Sequence, residues 1–382
     1  MAQRMIWNQT AYFGAGSISV IPGELARRGY TKALVVTDAP LLASGVVERV
    51  TGLLDEAAFA YDVYSDVVPN PTIENVQTGV AALAASGADV LIAIGGGSPQ
   101  DTCKAIGIIT ANPEFSDVRS LEGVAPTTKP SVPIIAIPTT AGTASETTIN
   151  YVITDVERQR KFVCVDPHDI PILAIVDSEM MASAPRSLKV ATGLDALTHA
   201  IEGYTTAGAW ELSDLFHLKA IQVIAGALRG AAEGDPAAAE RMALGQYVAG
   251  MGYSNVGLGL VHAMAHPLGA FYSAPHGVAN GILLAPVMAF NAEATGEKFR
   301  DIAAAFGVDV SGMSTEAART AAVDAVAALT RDLGNPVTLR EIGAKESDIP
   351  ALAQAAFDDV CAGGNPRPAT VAEIEELYRA LY

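Results

Sequence analysis

The chain has 382 residues, half of them apolar, which is enough to bury two or three hydrophobic cores. That apolar fraction excludes a disordered chain, and a formal net charge of −18 excludes the basic patch that binds nucleic acid or an anionic membrane surface. Residues 256–272 form the longest mostly apolar stretch, but histidines and a proline interrupt it, so no membrane span is predicted. Three scattered cysteines and an N-terminus without an apolar core favour a cytoplasmic protein.

Up to about residue 185, short apolar runs alternate with helical patterns. The runs are apolar throughout, as is typical of strands covered on both faces of a sheet. Alternation of this kind predicts an α/β domain with a Rossmann-like, doubly wound parallel sheet. The predicted strands are 32–38, 89–95, 132–138 and 172–177, and the predicted helices are 46–57, 72–86 and 99–109.

After residue 185 the strand pattern disappears and helical periodicity remains. We therefore predict an α/β domain over residues 1–185 and an all-helical domain over residues 186–382. The predicted helices of the second domain are 211–230, 236–251, 277–291, 315–333 and 370–381.

A glycine-rich turn, Gly95-Gly96-Gly97-Ser98-Pro99, follows the second predicted strand and opens a helix. Glycine allows close approach of a ligand to the backbone, and the free N–H groups of a helix N-terminus bind anions. Ser98 is expected to cap this helix, and Asp101 suits its first turn. The alternative is a tight turn without a ligand, because neither a GxGxxG nor a Walker A motif is present.

Two further strand ends carry polar side chains. Thr139, Thr140 and Thr143 follow the third predicted strand, and Asp38 ends the first. Ligands of open α/β sheets bind at this edge, where an acid accepts a hydrogen bond from a ribose hydroxyl and repels a 2′-phosphate. The three strand ends together favour a dinucleotide, NAD rather than NADP. A plain turn and a helix-capping aspartate are the alternatives for these residues.

Histidines cluster in the second half of the chain. Asp195 and His199 are four residues apart, as are His262 and His266, and His276 follows at a predicted helix start. One aspartate and three histidines form a credible ligand set for Fe(II) or Zn(II). Hydrogen-bonded core histidines are the alternative, and spacing alone leaves open which histidine stays unligated. His168 and His217 are isolated and are expected to be structural.

These motifs together identify a resemblance. Segments 93–107, 137–146, 193–204 and 256–281 match the pattern of the iron-dependent (group III) alcohol dehydrogenase family, and the match runs nearly end to end. The resemblance implies an α/β dinucleotide-binding domain followed by a helical metal-binding domain. It also implies a homodimer.

The resemblance also implies roles for individual residues. Asp195, His199, His262 and His276 become the metal ligands, with Fe²⁺ expected and Zn²⁺ a possible substitute. His266 stays unligated as a catalytic residue near the nicotinamide. The implied cofactor residues comprise those of the strand ends and a few others: Asp38, Asn70, Gly96, Gly97, Ser98, Asp101, Thr139, Thr140, Thr143, Val152 and Lys161.

The expected activity is hydride transfer between NAD(H) and a small alcohol or aldehyde, with lactaldehyde and 1,2-propanediol as the expected pair. Glycerol, butanol or 1,3-propanediol are alternative substrates within the family. A lyase of dehydroquinate-synthase type is an alternative outside it. Such lyases bind polyanions, whereas residues 256–281 contain no lysine or arginine.

Overall fold

The computed structural model describes residues 2–158 and 160–382. The chain divides into two compact units, and the boundary falls between Ala184 and Pro185. Residues Ala141–Thr143 belong to the second unit, although the flanking residues up to Thr140 and from Ala144 belong to the first. Within the described residues, no helix combines the length and the apolar character needed to cross a lipid bilayer.

A six-stranded parallel sheet forms the centre of the first unit. Its strands are adjacent in the order β1-β8-β5-β4-β2-β3. The central strands are buried along their length, as their uninterrupted apolar sequences predict. The strands are β1 (Thr10–Phe13), β2 (Lys32–Asp38), β3 (Ala60–Val67), β4 (Val90–Gly95), β5 (Ile134–Pro138) and β8 (Leu173–Val176), and an antiparallel pair is formed by β6 (Asn150–Asp155) and β7 (Arg160–Val165).

Helices cover both faces of this sheet, which confirms the doubly wound α/β fold. On one face Val35 and Ile92 pack against Leu25 and Leu54 from helices, and on the other face alternate strand residues pack against Ile106 and its neighbours. The helices are α1 (Ile21–Arg28), α2 (Ala39–Ala43), α3 (Glu48–Glu56), α4 (Ile73–Ser86) and α5 (Gly97–Ala111).

The strand order reverses between β2 and β4. From β2 the chain adds β3 on one side, then returns to add β4 and β5 on the other. Such a reversal opens a crevice at the carboxyl ends of the two strands, and dinucleotides bind there in this class of fold. Asp38 ends β2, and the glycine turn follows β4. Two of the three predicted strand ends therefore flank the crevice.

The four predicted strands correspond to β2, β4, β5 and β8, whereas β1, β3 and the β6–β7 pair were not predicted. β1 and β3 are the edges of the sheet, and β3 (AYDVYSDV) carries charged residues because it is covered less completely. In β6 buried and half-buried residues alternate, so it lacks the continuous apolar run that marks a central strand.

The second unit is all-helical over the described residues outside Ala141–Thr143, as predicted. Its core is one large cluster in which Leu197, Leu268 and Leu284 are fully buried. The predicted helices did not include 186–205, 260–272, 298–305 or 349–357; in 260–272, Pro267 and Gly269 interrupt the helical pattern. The helices are α6 (Arg186–Thr205), α7 (Glu211–Ala232), α8 (Pro236–Val256), α9 (Leu260–Tyr272), α10 (His276–Asn291), α11 (Lys298–Ala305), α12 (Thr315–Asp332), α13 (Ile349–Phe357) and α14 (Val371–Ala380).

Candidate functional site

Three helices of the second unit bring the predicted metal ligands together. α6 presents Asp195 and His199 one turn apart, α9 presents His262 in its first turn, and α10 begins at His276. Asp195 Oδ1 lies 3.9 Å from the Nε2 atom of His199, 3.7 Å from that of His262 and 3.5 Å from that of His276. Three histidine nitrogens from three helices therefore surround one carboxylate oxygen.

The donor atoms of Asp195, His262 and His276 all lie within 4.8 Å of one another, close to the spacing of ligands that share one metal ion, whereas His199 is the histidine farthest from Asp195 and is not part of that group. Metal–ligand bonds of about 2.0–2.2 Å in a tetrahedron place neighbouring donor atoms roughly 3.3–3.6 Å apart. The side chains of Asp195, His199 and His262 are at most 6% exposed, whereas that of His276 is 32% exposed. The cluster is thus closed on the protein side and accessible at His276, the side from which a further, fifth ligand would have to reach an ion held by these four residues.

The electrostatics of the cluster also favour a cation. Burial opposes ionisation of Asp195, yet the neighbouring His199 and His276 hold the pKa of its carboxyl well below the ordinary value. Burial opposes protonation of His262, but the carboxylates of Asp195 and Glu202 raise its pKa to about 9. For His199 burial dominates and lowers the pKa to about 4. The carboxylates thus attract a positive charge, which a divalent ion supplies when it displaces the proton from His262.

Two polar residues hold the ligands in place. Glu202 lies at the buried end of α6, and its Oε2 is 2.5 Å from His262 Nδ1 while its Oε1 accepts the Val261 N–H at 2.6 Å. On α10, the side-chain amide of Asn280 donates to Asp195 Oδ1 at 2.7 Å. A carboxylate on Nδ1 fixes the histidine tautomer that presents Nε2 to a metal.

His266 lies beside this cluster and outside it. Its ring is stacked on that of His276 with centroids 5.5 Å apart, and it meets His262 edge-on at 6.1 Å. Its Nδ1 atom is 2.8 Å from Asp359 Oδ2. Another ring, that of Tyr253, stacks on His199 with centroids 4.2 Å apart, and the Tyr253 hydroxyl donates to the Thr143 carbonyl. Thr143 was predicted to bind the cofactor, and it belongs to the second unit.

In the first unit, the glycine turn presents an open helix N-terminus. α5 begins at Gly97 with Gly96 as its N-cap, and no side chain caps it, so the expectation that Ser98 caps this helix was wrong. A Cβ atom at Gly96 would lie 3.1 Å from Thr140 Oγ1, so a larger residue would require the Thr140 side chain to shift by a few tenths of an ångström. Gly96, Gly97 and Ser98 are half-buried, so the uncapped N–H groups are accessible to an anion.

Four further predicted cofactor residues of the first unit form two hydrogen-bonded pairs, Lys161 with Asn70 and Asp101 with Val152. Lys161 Nζ donates to Asn70 Oδ1 at 2.8 Å, and burial lowers the pKa of this ammonium. Asp101 accepts hydrogen bonds from Ser145 Oγ at 2.8 Å and from the Val152 N–H at 3.1 Å. Burial raises the pKa of Asp101 to about 6. Asp101 is the fifth residue of α5, so the expectation that it lies in the first turn was wrong; its carboxylate fixes α5 to β6.

Asp38 is half-buried at the end of β2 and caps α2, because its Oδ1 accepts the Leu41 N–H at 2.8 Å. Thr139 is buried at the end of β5, and its N–H donates to the Gly95 carbonyl at 3.1 Å. The polar ends of β2, β4 and β5 thus lie side by side at the carboxyl edge of the sheet, because the three strands are parallel neighbours.

The whole chain matches one family of known proteins. Residues 8–178 match the model of iron-containing alcohol dehydrogenases, and residues 189–382 match the model of the Fe-containing alcohol dehydrogenase family, C-terminal. The chain belongs to the iron-containing alcohol dehydrogenase family. It is 66% identical to lactaldehyde reductase of Escherichia coli K12 over 382 residues, which covers 100% of both chains.

Solved structures agree with this membership of the iron-containing alcohol dehydrogenases. A crystal structure of a 1,3-propanediol oxidoreductase superposes with a TM-score of 0.97 at 39% identity and covers 100% of both chains. Sulfoacetaldehyde reductase of Bifidobacterium kashiwanohense in complex with NAD⁺ superposes with a TM-score of 0.88 at 26% identity, covering 100% of this chain and 99% of that one. The predicted family and fold are therefore confirmed.

The sequence analysis missed several residues of the candidate site. Glu202 follows His199 by three residues and Asn280 follows His276 by four, so each shares a helical face with a ligand. That spacing was a usable signal. Asp359 contacts His266 although the two residues are 93 positions apart in the sequence, and no local sequence pattern predicts such a contact.

Glycine lets α10 approach α6 closely enough to bring His276 to Asp195. A Cβ atom at Gly277 would lie 1.9 Å from the Ala191 carbonyl oxygen, so Gly277→Ala must separate the two helices. We expect this variant to lose about 1–3 kcal/mol of stability and to bind metal more weakly. Thermal unfolding and metal titration measure both effects.

Gly52→Ala is the matched control, because that position in α3 has open space around it. There the added methyl group should stabilise the chain by roughly 0.5–1 kcal/mol. Equal stability of the Gly277→Ala variant and the wild type would contradict the close approach of α10 to α6.

Proposed function

We propose that this enzyme catalyses the reversible, NAD-linked reduction of lactaldehyde to 1,2-propanediol. The observation that carries the proposal is the buried Asp195 cluster in a chain 66% identical, end to end, to a lactaldehyde reductase. Segments 161–171 and 245–262 support it, since within the family they resemble lactaldehyde reductase.

Asp195, His199, His262 and His276 would hold the metal, which we propose to be Fe²⁺, with Zn²⁺ as a substitute because both ions accept these ligands. When bound, the ion supplies a Lewis acid that polarises the substrate oxygen. The chain's own contribution is to fix the ligands before metal binds. Glu202 sets the tautomer of His262, and Asn280 holds the Asp195 carboxylate.

NAD(H), which supplies the hydride, would bind at the crevice between β2 and β4. We assign its pyrophosphate to the uncapped N-terminus of α5 at Gly96, Gly97 and Ser98. Asp38 offers its free carboxylate oxygen to the adenosine ribose while Oδ1 caps α2. Asp101 contributes indirectly, by fixing α5. The remaining contacts come from Asn70, Thr139, Thr140, Thr143, Val152 and Lys161.

His266 would exchange the proton that the substrate oxygen gains on reduction. It stacks on His276, which is the accessible member of the cluster, and is itself only 16% exposed. Each imidazole nitrogen can either donate or accept a hydrogen bond, so the ring offers a place for that proton. We also propose a cytoplasmic homodimer, which the family resemblance implies and a sedimentation experiment tests.

An anaerobic assay with Fe(II)-loaded protein tests the function. We expect NADH to be consumed faster with lactaldehyde than with 3-hydroxypropanal, the aldehyde of 1,3-propanediol. The reverse preference would assign the enzyme to the alternative substrate class. Loss of substrate without net consumption of NADH would instead support the lyase alternative.

Asp38→Gly is expected to admit NADP(H). Removing a carboxylate near the ribose relieves repulsion of a 2′-phosphate, which should raise kcat/KM for NADPH by about 10- to 100-fold. Glycine still serves as an N-cap, at a cost of only a few tenths of a kcal/mol, so α2 should persist. Asp55→Asn removes an exposed carboxylate of the same unit and should leave the preference unchanged. An unaltered NADPH/NADH ratio in Asp38→Gly would remove Asp38 from the ribose site.

A further inference from the structure

Asp359 is the polar partner of His266 and comes from a different part of the chain. It precedes the short 3₁₀ helix Val360–Gly364 and caps it, because its Oδ1 accepts the Cys361 N–H at 2.8 Å. Its Oδ2 lies 2.8 Å from His266 Nδ1. Both side chains are 16% exposed, so water competes weakly for this contact. One oxygen thus anchors the carboxylate, and the other is directed at the imidazole.

The direction of this hydrogen bond fixes the state of the ring. An ionised carboxylate only accepts hydrogen bonds, so His266 Nδ1 must carry the proton that it donates. Burial opposes ionisation of Asp359, but the hydrogen bonds from His266 and Cys361 hold its pKa below the ordinary value. In a neutral imidazole with Nδ1 protonated, Nε2 keeps its lone pair. Without the carboxylate, the imidazole ring could rotate by 180° or change tautomer.

We propose that Asp359 is the positioning residue of His266: it holds Nδ1–H and leaves Nε2 as the atom that exchanges the substrate proton. This inference rests on the proposed function of His266. In oxidation, Nε2 takes the hydroxyl proton as the hydride leaves the carbon for NAD⁺. In reduction, an imidazolium held by Asp359 returns one proton from Nε2 to the substrate oxygen, and solvent then replaces it.

A second metal site is the competing interpretation of the same residues. The donor atoms of His266, Asp359 and Cys361 lie within 4.8 Å of one another. However, His266 Nδ1 already donates to the carboxylate, so only Nε2, which faces away from Asp359 across the ring, keeps a lone pair. Burial also raises the pKa of the Cys361 thiol well above its ordinary value, which disfavours the thiolate that metals bind. The two hydrogen bonds of Asp359, one with His266 and one with the Cys361 N–H, explain why these three residues lie together.

Asp359→Asn tests the proposal in the complete, Fe(II)-loaded enzyme. Asparagine is as good an N-cap as aspartate, so Oδ1 can still accept the Cys361 N–H. The Nδ2 amide then faces His266 Nδ1 and donates to it, which reverses the tautomer. We expect kcat with lactaldehyde to fall about 10- to 100-fold, with metal content, KM for NADH and Tm unchanged. Asp358→Asn changes the neighbouring exposed carboxylate and should match the wild type.

A double-mutant cycle separates positioning from a merely structural role. If Asp359 acts through His266, adding Asp359→Asn to His266→Ala causes no further loss of kcat. Full activity in Asp359→Asn, or losses that multiply in the double variant, would overturn the proposal. Full activity in His266→Ala would overturn the proposed role of His266 itself, and with it the role of Asp359. If His266→Ala loses activity while Asp359→Asn keeps full activity, only the role of Asp359 is rejected and the proposed function stands.

Discussion

His262→Ala is expected to lose its metal and its turnover while still binding NADH. The variant removes one of three imidazoles around Asp195 Oδ1 and leaves Glu202 without its buried partner. Lewis-acid stabilisation worth several kcal/mol disappears with the ion, so kcat should fall at least about 10³-fold. Because the turn proposed to bind the pyrophosphate belongs to the first unit, the Kd of NADH should change little.

Metal analysis after anaerobic Fe(II) loading, with NADH fluorescence titration, measures both quantities. His168→Ala is the matched control, since His168 lies in the first unit beside Thr127 and Asp166 and should affect neither metal nor turnover. A His262→Ala variant that retained stoichiometric metal and wild-type kcat would remove His262 from the ligand set.

Glu202→Gln is expected to weaken metal binding about 10- to 100-fold without unfolding the chain. The glutamine keeps the shape of the side chain and can still accept the Val261 N–H through its oxygen. Its amide nitrogen, however, would face His262 Nδ1 as a donor. The ring is then driven to the tautomer with Nε2 protonated, and a protonated nitrogen cannot bind a metal.

Competition between the protein and a chelator of known affinity for Co(II) gives the metal Kd of wild type and variant. Glu211→Gln, at the exposed start of α7, provides a conservative control that should leave the Kd unchanged. An unchanged Kd in Glu202→Gln would mean that His262 binds metal without a fixed tautomer. Loss of secondary structure in this variant would assign Glu202 to folding instead.

The sequence was most informative where one local pattern predicted both a strand and the binding residues that follow it. The runs that became β2, β4 and β5 are continuously apolar because helices cover both faces, and a polar or glycine turn follows each. The order of the strands was not predictable from these runs, so the side-by-side placement of Asp38 and the glycine turn emerged only from the fold.

Long-range polar pairs were beyond prediction for a physical reason. Glu202 reaches Val261 and His262 across about 60 residues, and Asp359 reaches His266 across 93. Helix packing creates these contacts, and hydrophobic periodicity does not encode which acid meets which histidine. The choice of His262 and His276 over His266 came from the family resemblance, since the spacing of the histidines left it open. The separation of His266 from Asp195 by helix packing agrees with that choice.

Anaerobic titration of metal-free protein with Fe(II), with lactaldehyde and NADH present, tests the central claim most directly. The rate of NADH oxidation should start near zero, rise in proportion to added iron and stop rising at one ion per chain. Full turnover before any iron is added, or a rate that keeps rising well past one equivalent, would contradict a single catalytic ion held by Asp195 and three histidines.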